Sequence, residues 1–170
     1  ISIVGVDRVG LRYYKAKVEQ EELVQSSGVP WTILRATQFH PFVARTFASS
    51  ARFGVVPSLG FPMQPVDPRE VGRVLAETAE AAPSRAITEF AGPEVLSASE
   101  LARRWRRHTG SRALPVRLPV TRALRSGVLT NPGARRGSLT FDEWLQANTT
   151  AGDRVAGIDA VAKPDQPRTP

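Results

Sequence analysis

The sequence has 170 residues, a length that suits one domain, and a net charge of +7. Its apolar fraction of 41% and charged fraction of 23% are ordinary for a soluble globular protein. The absence of cysteine excludes disulfides, thiolate catalysis and cysteine-ligated metals, and the two histidines, His40 and His108, are too far apart in sequence to suggest a metal site. No apolar run is long enough for a transmembrane helix, and the start does not have the form of a signal peptide. We therefore expect a cytoplasmic protein with no membrane partner.

The first elements predict a strand, a helix and a second strand. Residues 1–6 are apolar and end in a glycine turn, which indicates a buried strand. Residues 14–27 are rich in helix formers, and Gly28 is well placed to end the helix. Pro30 prevents continuation of the helix, and residues 31–36 predict the next strand. A unit of this length indicates a right-handed crossover in an α/β sheet.

Tyr13 and Lys17 form a Tyr-x-x-x-Lys pair at the start of the predicted helix. Residues four apart lie on the same helix face, one turn from each other. A nearby cation favours the phenolate and lowers a tyrosine pKa from its ordinary value of about 10, so that the tyrosine can exchange a proton with a carbonyl oxygen. The spacing predicts a proton-transfer pair, although a pair of this kind also occurs by chance.

Residues 37–40 follow the carboxyl end of the second predicted strand, the edge at which open α/β sheets bind ligands. Gln38, Phe39 and His40 are therefore candidates to bind a substrate. In the alternative interpretation, Phe39 and Phe42 belong to the core and His40 caps the helix predicted at residues 41–53. The sequence leaves both interpretations open.

The remaining chain predicts short strands alternating with helices. Residues 54–68 are rich in proline and glycine and predict a short strand and a loop over the substrate site. Asp67 predicts a helix N-cap, followed by Pro68 in the first turn and Glu70 as its capping-box partner. Further strands are predicted at 86–91 and 114–118, further helices at 97–110, 121–129 and 140–148, and a disordered tail at 151–170 after a domain of residues 1–150.

The positive charge is concentrated in residues 97–136, which hold ten arginines and one acid, whereas the remainder holds thirteen basic and fifteen acidic residues. A basic helix can bind nucleic acid through phosphates. However, no aromatic stacking platform or recognised DNA-binding motif accompanies these arginines. Arginine stems also cover apolar surface, so a solvated helix face explains the cluster more simply, and we do not expect a nucleic-acid partner.

Three motifs occur in an order that resembles the second half of the atypical short-chain dehydrogenases/reductases. They are Ser2-Ile3-Val4-Gly5, Tyr13-Tyr14-x-x-Lys17 and Thr32-Ile33-Leu34-Arg35-x-x-Gln38-Phe39, and a Pro-Val-Asp-x-x-x-Val pattern at 65–71 also matches. The NmrA-like NAD(P)-binding members are the most similar, and the resemblance covers at least residues 1–95. It implies an α/β fold, namely the C-terminal part of a Rossmann-type parallel sheet with a small mixed α/β substrate-side region.

The resemblance also implies roles for individual residues. Tyr13 matches the general acid/base, and Lys17 matches the lysine that holds the nicotinamide ribose and tunes the tyrosine. Ser2 matches the serine that steadies the substrate carbonyl, although an ordinary strand-end hydroxyl explains it equally well. The expected cofactor is NAD(P), with NADP favoured, and the residues expected to bind it are Lys17, Arg35, Ala36 and Thr37.

The glycine-rich dinucleotide fingerprint, which lies upstream of the tyrosine in this family, does not occur in the sequence. We therefore expect the C-terminal portion of a longer protein, with an incomplete cofactor site. The resemblance implies an NAD(P)H-dependent oxidoreductase acting on a small carbonyl or quinone-like substrate, with a homodimer as a further expectation. The alternatives are an NmrA-like regulator that senses NAD(P) without turnover and, from the arginines, a basic nucleic-acid-binding module.

Overall fold

The computed structural model describes residues 1–149, so the tail expected at residues 151–170 lies outside the described residues. Over the described residues the chain forms eight strands and six helices, with a 3-10 turn at Val6–Arg8. The strands are β1 (Ser2–Ile3), β2 (Ile33–Ala36), β3 (Val55–Pro57), β4 (Pro62–Met63), β5 (Ile87–Ala91), β6 (Leu96–Ser97), β7 (Leu114–Val116) and β8 (Arg135–Arg136). The helices are α1 (Arg12–Ser26), α2 (His40–Ala51), α3 (Pro68–Glu80), α4 (Ala98–Thr109), α5 (Arg122–Arg125) and α6 (Phe141–Thr149).

The central sheet is parallel and has the strand order β1-β2-β5-β8. Helix α1 connects β1 to β2, so the strand–helix–strand unit predicted from the sequence is confirmed. Two smaller sheets, β3-β7 and the antiparallel pair β4-β6, lie beside the central one. The fold is therefore the predicted α/β class, with a parallel sheet and a small mixed region.

The core has two parts, because the central sheet and the mixed region pack against different helices. One cluster fills the space between the central sheet and α3 and contains Leu34, Val66, Val71 and Phe90. The larger cluster joins α2, α4 and α6, where Trp105 contacts Phe47 and the rings of Phe141 and Trp144 stack. The larger cluster supports the mixed region. The cluster between the central sheet and α3 includes residues of β2, the strand whose end carries part of the candidate site.

The first strand is shorter than residues 1–6 because the chain turns at Gly5. Gly5 has a φ of 71°, a left-handed conformation that glycine adopts without a Cβ penalty. The backbone carbonyl of Val128 also packs so closely against Gly5 that any Cβ there would collide with it. The 3-10 turn at Val6–Arg8 then leads into α1.

The start of α3 confirms one part of the predicted capping arrangement and corrects another. Asp67 is the N-cap and accepts a hydrogen bond from the backbone N–H of Arg69 at 2.6 Å. Glu70 does not complete a capping box. Its carboxylate instead accepts hydrogen bonds from the N–H and the hydroxyl of Ser138, at 2.9 and 2.8 Å. This contact links distant segments, so local spacing could not predict it.

Candidate functional site

A cavity of about 570 Å³ lies between α1 and the carboxyl ends of β1 and β2. Its volume is in the range of small-molecule sites. The wall is mainly apolar and aromatic, with one phenol pair and one ammonium group. The residues that form it are Ile1, Ser2, Ile3, Tyr13, Tyr14, Lys17, Ala36, Thr37, Gln38, Phe39 and Phe42.

Tyr13 and Lys17 both reach this cavity from the first turns of α1. Tyr13 is 62% exposed, whereas Lys17 is half-buried. The ammonium of Lys17 donates a hydrogen bond to the side-chain oxygen of Gln20 at 2.9 Å. The structure thus brings the two residues of the sequence motif to one cavity, where both can approach a single bound molecule.

Tyr14 also lines the cavity, although sequence reasoning gave it no role of its own. Its ring packs edge-on against Tyr13, with 5.5 Å between the ring centroids. Burial raises the pKa of Tyr14, and the neighbouring Tyr13 adds to the rise. Tyr14 therefore stays a neutral phenol near neutral pH and is suited to donate a hydrogen bond, but not to act as a base.

Arg35, predicted to bind the cofactor, is not among the residues that line the cavity. Its guanidinium donates to both oxygens of the Glu21 carboxylate, at 2.9 and 2.6 Å, and to Asp7 at 3.0 Å. Burial opposes the charge of Glu21, but the hydrogen bonds and the positive charge of Arg35 outweigh it and lower the pKa of Glu21. Ser2 lies in the cavity wall, and its buried hydroxyl has no hydrogen-bond partner among the described residues.

Ala36, Thr37, Gln38 and Phe39 continue the wall from the end of β2, as expected for a strand end that faces a ligand. The hydroxyl of Thr37 accepts a hydrogen bond from the N–H of Gly92 at 3.1 Å, which ties β2 to the end of β5. Phe42, which one interpretation of the sequence assigned to the core, is 59% exposed and lines the cavity.

His40, predicted to bind substrate, is fully buried and does not line the cavity. Its Nε2 donates to the backbone carbonyl of Leu139 at 3.0 Å, since a carbonyl oxygen can only accept. Its ring lies 5.6 Å from Phe141 and 5.9 Å from Trp144, measured between centroids. Burial lowers the pKa of His40, against the raising effects of that carbonyl and of nearby carboxylates. The imidazole thus lies in the core, and it does not cap α2 as the alternative interpretation expected, because the N-cap residue is Phe39 and no side chain caps this helix.

The arginines of α4 are partly neutralised by carboxylates. Arg104 pairs with Asp142 at 2.6 Å, Glu100 at 3.0 Å and Glu94 at 3.3 Å, and Arg103 pairs with Glu100 at 2.7 Å. These contacts join α4 to α6 and to the segment before β6. Two of the four arginines that cluster on α4 are therefore engaged within the protein rather than free for phosphates.

Within residues 1–149, no three His, Cys, Asp or Glu side chains are grouped so that they could hold a metal ion. Over the same residues, no helix combines the length and apolar character needed to cross a bilayer.

No protein-family model matches the sequence, and no curated protein matches it significantly. Several solved structures are nevertheless similar to this chain in fold. A NADPH-dependent quinone oxidoreductase, QOR2, from Escherichia coli has a TM-score of 0.69 at 15% identity, over 87% of this chain and 66% of its own. The Bordetella bronchiseptica enzyme WbmF, solved in complex with NAD+, has a TM-score of 0.60 at 16% identity, over 89% of this chain and 57% of its own.

A nucleoside-diphosphate-sugar epimerase from Staphylococcus aureus is also similar, with a TM-score of 0.59 at 12% identity, over 78% of this chain and 58% of its own. The chain thus spans 66% or less of the length of these three structures. At such low identities the likeness shows the fold alone, a Rossmann-type α/β fold shared with proteins solved with NADPH or NAD+.

Proposed function

We propose that this chain is the substrate-side part of an NAD(P)H-dependent oxidoreductase of the atypical short-chain type, close to the NmrA-like group. The observation that carries the proposal is that Tyr13 and Lys17 reach one cavity at the carboxyl ends of parallel strands. This is the edge at which ligands bind in sheets of this topology. A phenol and an ammonium one helical turn apart are suited to transfer a proton to a substrate oxygen.

The cavity fits a nicotinamide ring and a small flat substrate. Ile1, Ile3 and Phe39 provide apolar surface, and Ala36 leaves room for close approach to the strand end. The ammonium of Lys17 has only the amide of Gln20 as a partner in the hydrogen bonds of the described residues, so it can turn toward a ribose hydroxyl. Bound NAD(P)H supplies the hydride. The chain's own residues provide the proton, the orientation and the apolar surroundings.

In the proposed reduction, Tyr13 donates its phenolic proton to the substrate oxygen as the carbonyl carbon gains hydride. Lys17 stabilises the resulting phenolate because its positive charge lies one turn away. Tyr14 is suited to hydrogen-bond the same oxygen as a neutral phenol. The aromatic and aliphatic wall favours carbonyl or quinone-like substrates that are flat and apolar over highly charged ones.

The test is NADPH and NADH oxidation by the full-length protein across a panel of carbonyls and quinones, with Tyr13→Phe alongside. We expect Tyr13→Phe to lower kcat by roughly 10²–10⁴ while cofactor binding persists, because only the proton donor is removed. Equal turnover in both proteins would remove Tyr13 from the mechanism. Cofactor binding without turnover in the wild type would instead favour an NAD(P)-sensing regulator.

A further inference from the structure

Helix α1, which carries the candidate catalytic residues, buries an unusual side chain. Of its fifteen residues only Glu21 is buried, at 5% exposure. Of its larger aliphatic residues, Leu23 and Val24 are 71% and 38% exposed, and Val18 is half-buried. A helix on a globular domain ordinarily packs through an apolar stripe, and α1 has none that is buried among the described residues. Glu21 is thus the residue of α1 with the most buried side chain, and it contacts Arg35 on the central sheet.

Glu21 lies on the same side of α1 as the candidate catalytic pair. Tyr13, Lys17 and Glu21 follow one another at intervals of four residues, so they form one row along a single face of α1. The first two reach the cavity, and the third reaches the sheet. A displacement of Glu21 would thus move the other two along the same row.

Arg35, the partner of Glu21 on the central sheet, lies next to the cavity wall. Arg35 lies on β2 directly opposite Ser2 of β1, and it immediately precedes Ala36 and Thr37 in the cavity wall. Its planar guanidinium contacts both oxygens of Glu21, a geometry that fixes orientation as well as distance. Arg35 is 13% exposed at its side chain and Glu21 is 6% exposed, so water screens the pair little.

We propose that the Glu21–Arg35 ion pair positions α1 so that Tyr13 and Lys17 face the cavity, and that Arg35 is a positioning residue rather than a cofactor ligand. Its catalytic consequence rests on the proposed function. The pair has a second effect on Lys17. The carboxylate of Glu21 lies one turn from Lys17, and Arg35 neutralises its charge. With Arg35 absent, Glu21 would attract the ammonium of Lys17 away from the cavity.

The experiment compares Glu21→Gln, Arg35→Gln and the double variant in the full-length protein. We expect Arg35→Gln to lower kcat by up to about 100-fold, because small displacements of reacting groups have effects of this size. The double variant should recover at least about tenfold of that loss, because Glu21→Gln removes the carboxylate one turn from Lys17, whereas the exposed Asp7 loses Arg35 in both variants. The KM for the cofactor should rise in Arg35→Gln, because Lys17 is drawn away from the ribose, and it should return toward the wild-type value in the double variant.

A cofactor ligand would behave differently. If Arg35 bound the cofactor, the cofactor KM raised by Arg35→Gln would stay equally raised in the double variant, and Glu21→Gln alone would leave it unchanged. That result would overturn the proposal. A kcat that follows the thermal midpoint of unfolding in every variant would also overturn it, since stability alone would then explain the losses.

Glu77 and Arg135 provide a matched control pair. They form an ion pair of 2.7 Å that is more than half exposed and contributes nothing to the cavity wall. Glu77→Gln with Arg135→Gln makes the same charge changes and should leave kcat within about twofold, as expected for a surface pair.

One measurement is independent of turnover. Arg35→Gln should speed amide hydrogen exchange in residues 13–20 by at least about tenfold relative to residues 68–80 of α3, because α1 loses its buried anchor. Unchanged exchange would overturn the positioning role even in an active enzyme. Faster exchange in a protein that never turns over would retain it while removing the proposed function.

Discussion

The side-chain oxygen of Gln38 accepts a hydrogen bond from the backbone N–H of Gln64 at 3.0 Å. Gln64 is itself 1% exposed, and its side chain binds the carbonyl of Gly92 and the N–H of Asn131, at 2.8 and 2.9 Å. The amide of Gln38 donates in addition to the carbonyl of Leu129 at 2.9 Å. These two glutamines thus link the cavity wall at Gln38 to Gly92 and to residues 129–131 by hydrogen bonds.

Gln38→Leu should destabilise the protein because it leaves the N–H of Gln64 and the carbonyl of Leu129 without their partner. We expect the free energy of unfolding to fall by about 1–3 kcal/mol, the cost typical of unsatisfied buried groups. Urea denaturation measures this change. Gln25→Leu on the exposed face of α1 is the matched control and should stay within about 0.5 kcal/mol of the wild type. Equal effects of both changes would contradict the structural role of Gln38.

Gly5→Ala should be more damaging. Gly5 has a φ of 71°, and the methyl group of alanine would collide with the backbone carbonyl of Val128. The same carbonyl accepts a hydrogen bond from Arg8 at 3.0 Å, so it cannot move without losing a second contact. We expect a loss of about 2–5 kcal/mol, combining backbone strain with overpacking.

Gly10→Ala is the natural control for that experiment, since nothing lies within 4 Å of a Cβ built there. Thermal unfolding should place Gly10→Ala within a few degrees of the wild type and Gly5→Ala far below it. A Gly5→Ala protein as stable as its control would mean that the segment around Val128 does not pack against Gly5 in solution.

Tyr14→Phe provides a comparison with Tyr13→Phe that depends on the different surroundings of the two phenols. Burial raises the pKa of Tyr14, so its proton is harder to release than that of a phenol in water. We expect Tyr14→Phe to keep kcat within about tenfold of the wild type, the loss of one neutral hydrogen bond, while Tyr13→Phe loses far more. Steady-state kinetics of the full-length protein decides the order. A larger loss in Tyr14→Phe would transfer the proton-donor role to Tyr14.

Local patterns in the sequence were sufficient for the longer helices and for β2 and β5, but not for the short strands β6 and β8 or for the length of α5. The start of α3 at Asp67 and the end of α1 before Gly28 follow from capping and from glycine's left-handed conformation, with a φ of 75° at Gly28. The meeting of Tyr13 and Lys17 at one cavity follows from their spacing on a helix. These features depend on residues a few positions apart.

Features that depend on distant residues could not be predicted in this way. Nothing in the spacing indicates that Arg35 pairs with Glu21, because the crossover that brings α1 onto β2 is a tertiary feature. The same holds for Leu139, whose carbonyl holds a histidine 99 positions away. A buried carboxylate on an otherwise polar helix gives no periodic signal, and the position of Glu21 emerges only from the packed structure.

The stability of the fold should depend on pH through His40. Its Nδ1 is buried without a hydrogen-bond partner among the described residues, so protonation would place an unpaired N–H in the core. Burial accordingly lowers the pKa of His40 below the ordinary value of about 6.5 that it regains on unfolding. Below pH about 6.5, His40 is therefore protonated in the unfolded state while it stays neutral in the folded state until the pH reaches its lowered pKa.

The free energy of unfolding should hence fall as the pH decreases from about 6.5 to 5, with a slope of at most about 1.4 kcal/mol per pH unit from this group. The folded-state pKa values of Asp67 and Glu21 are lowered, so both carboxylates stay ionised in that window and their contributions are lost only at lower pH. Urea denaturation at several pH values measures the slope. His40→Gln retains a donor for the Leu139 carbonyl but cannot titrate, and it should flatten the slope. An unchanged slope in His40→Gln would show that His40 is not the group responsible.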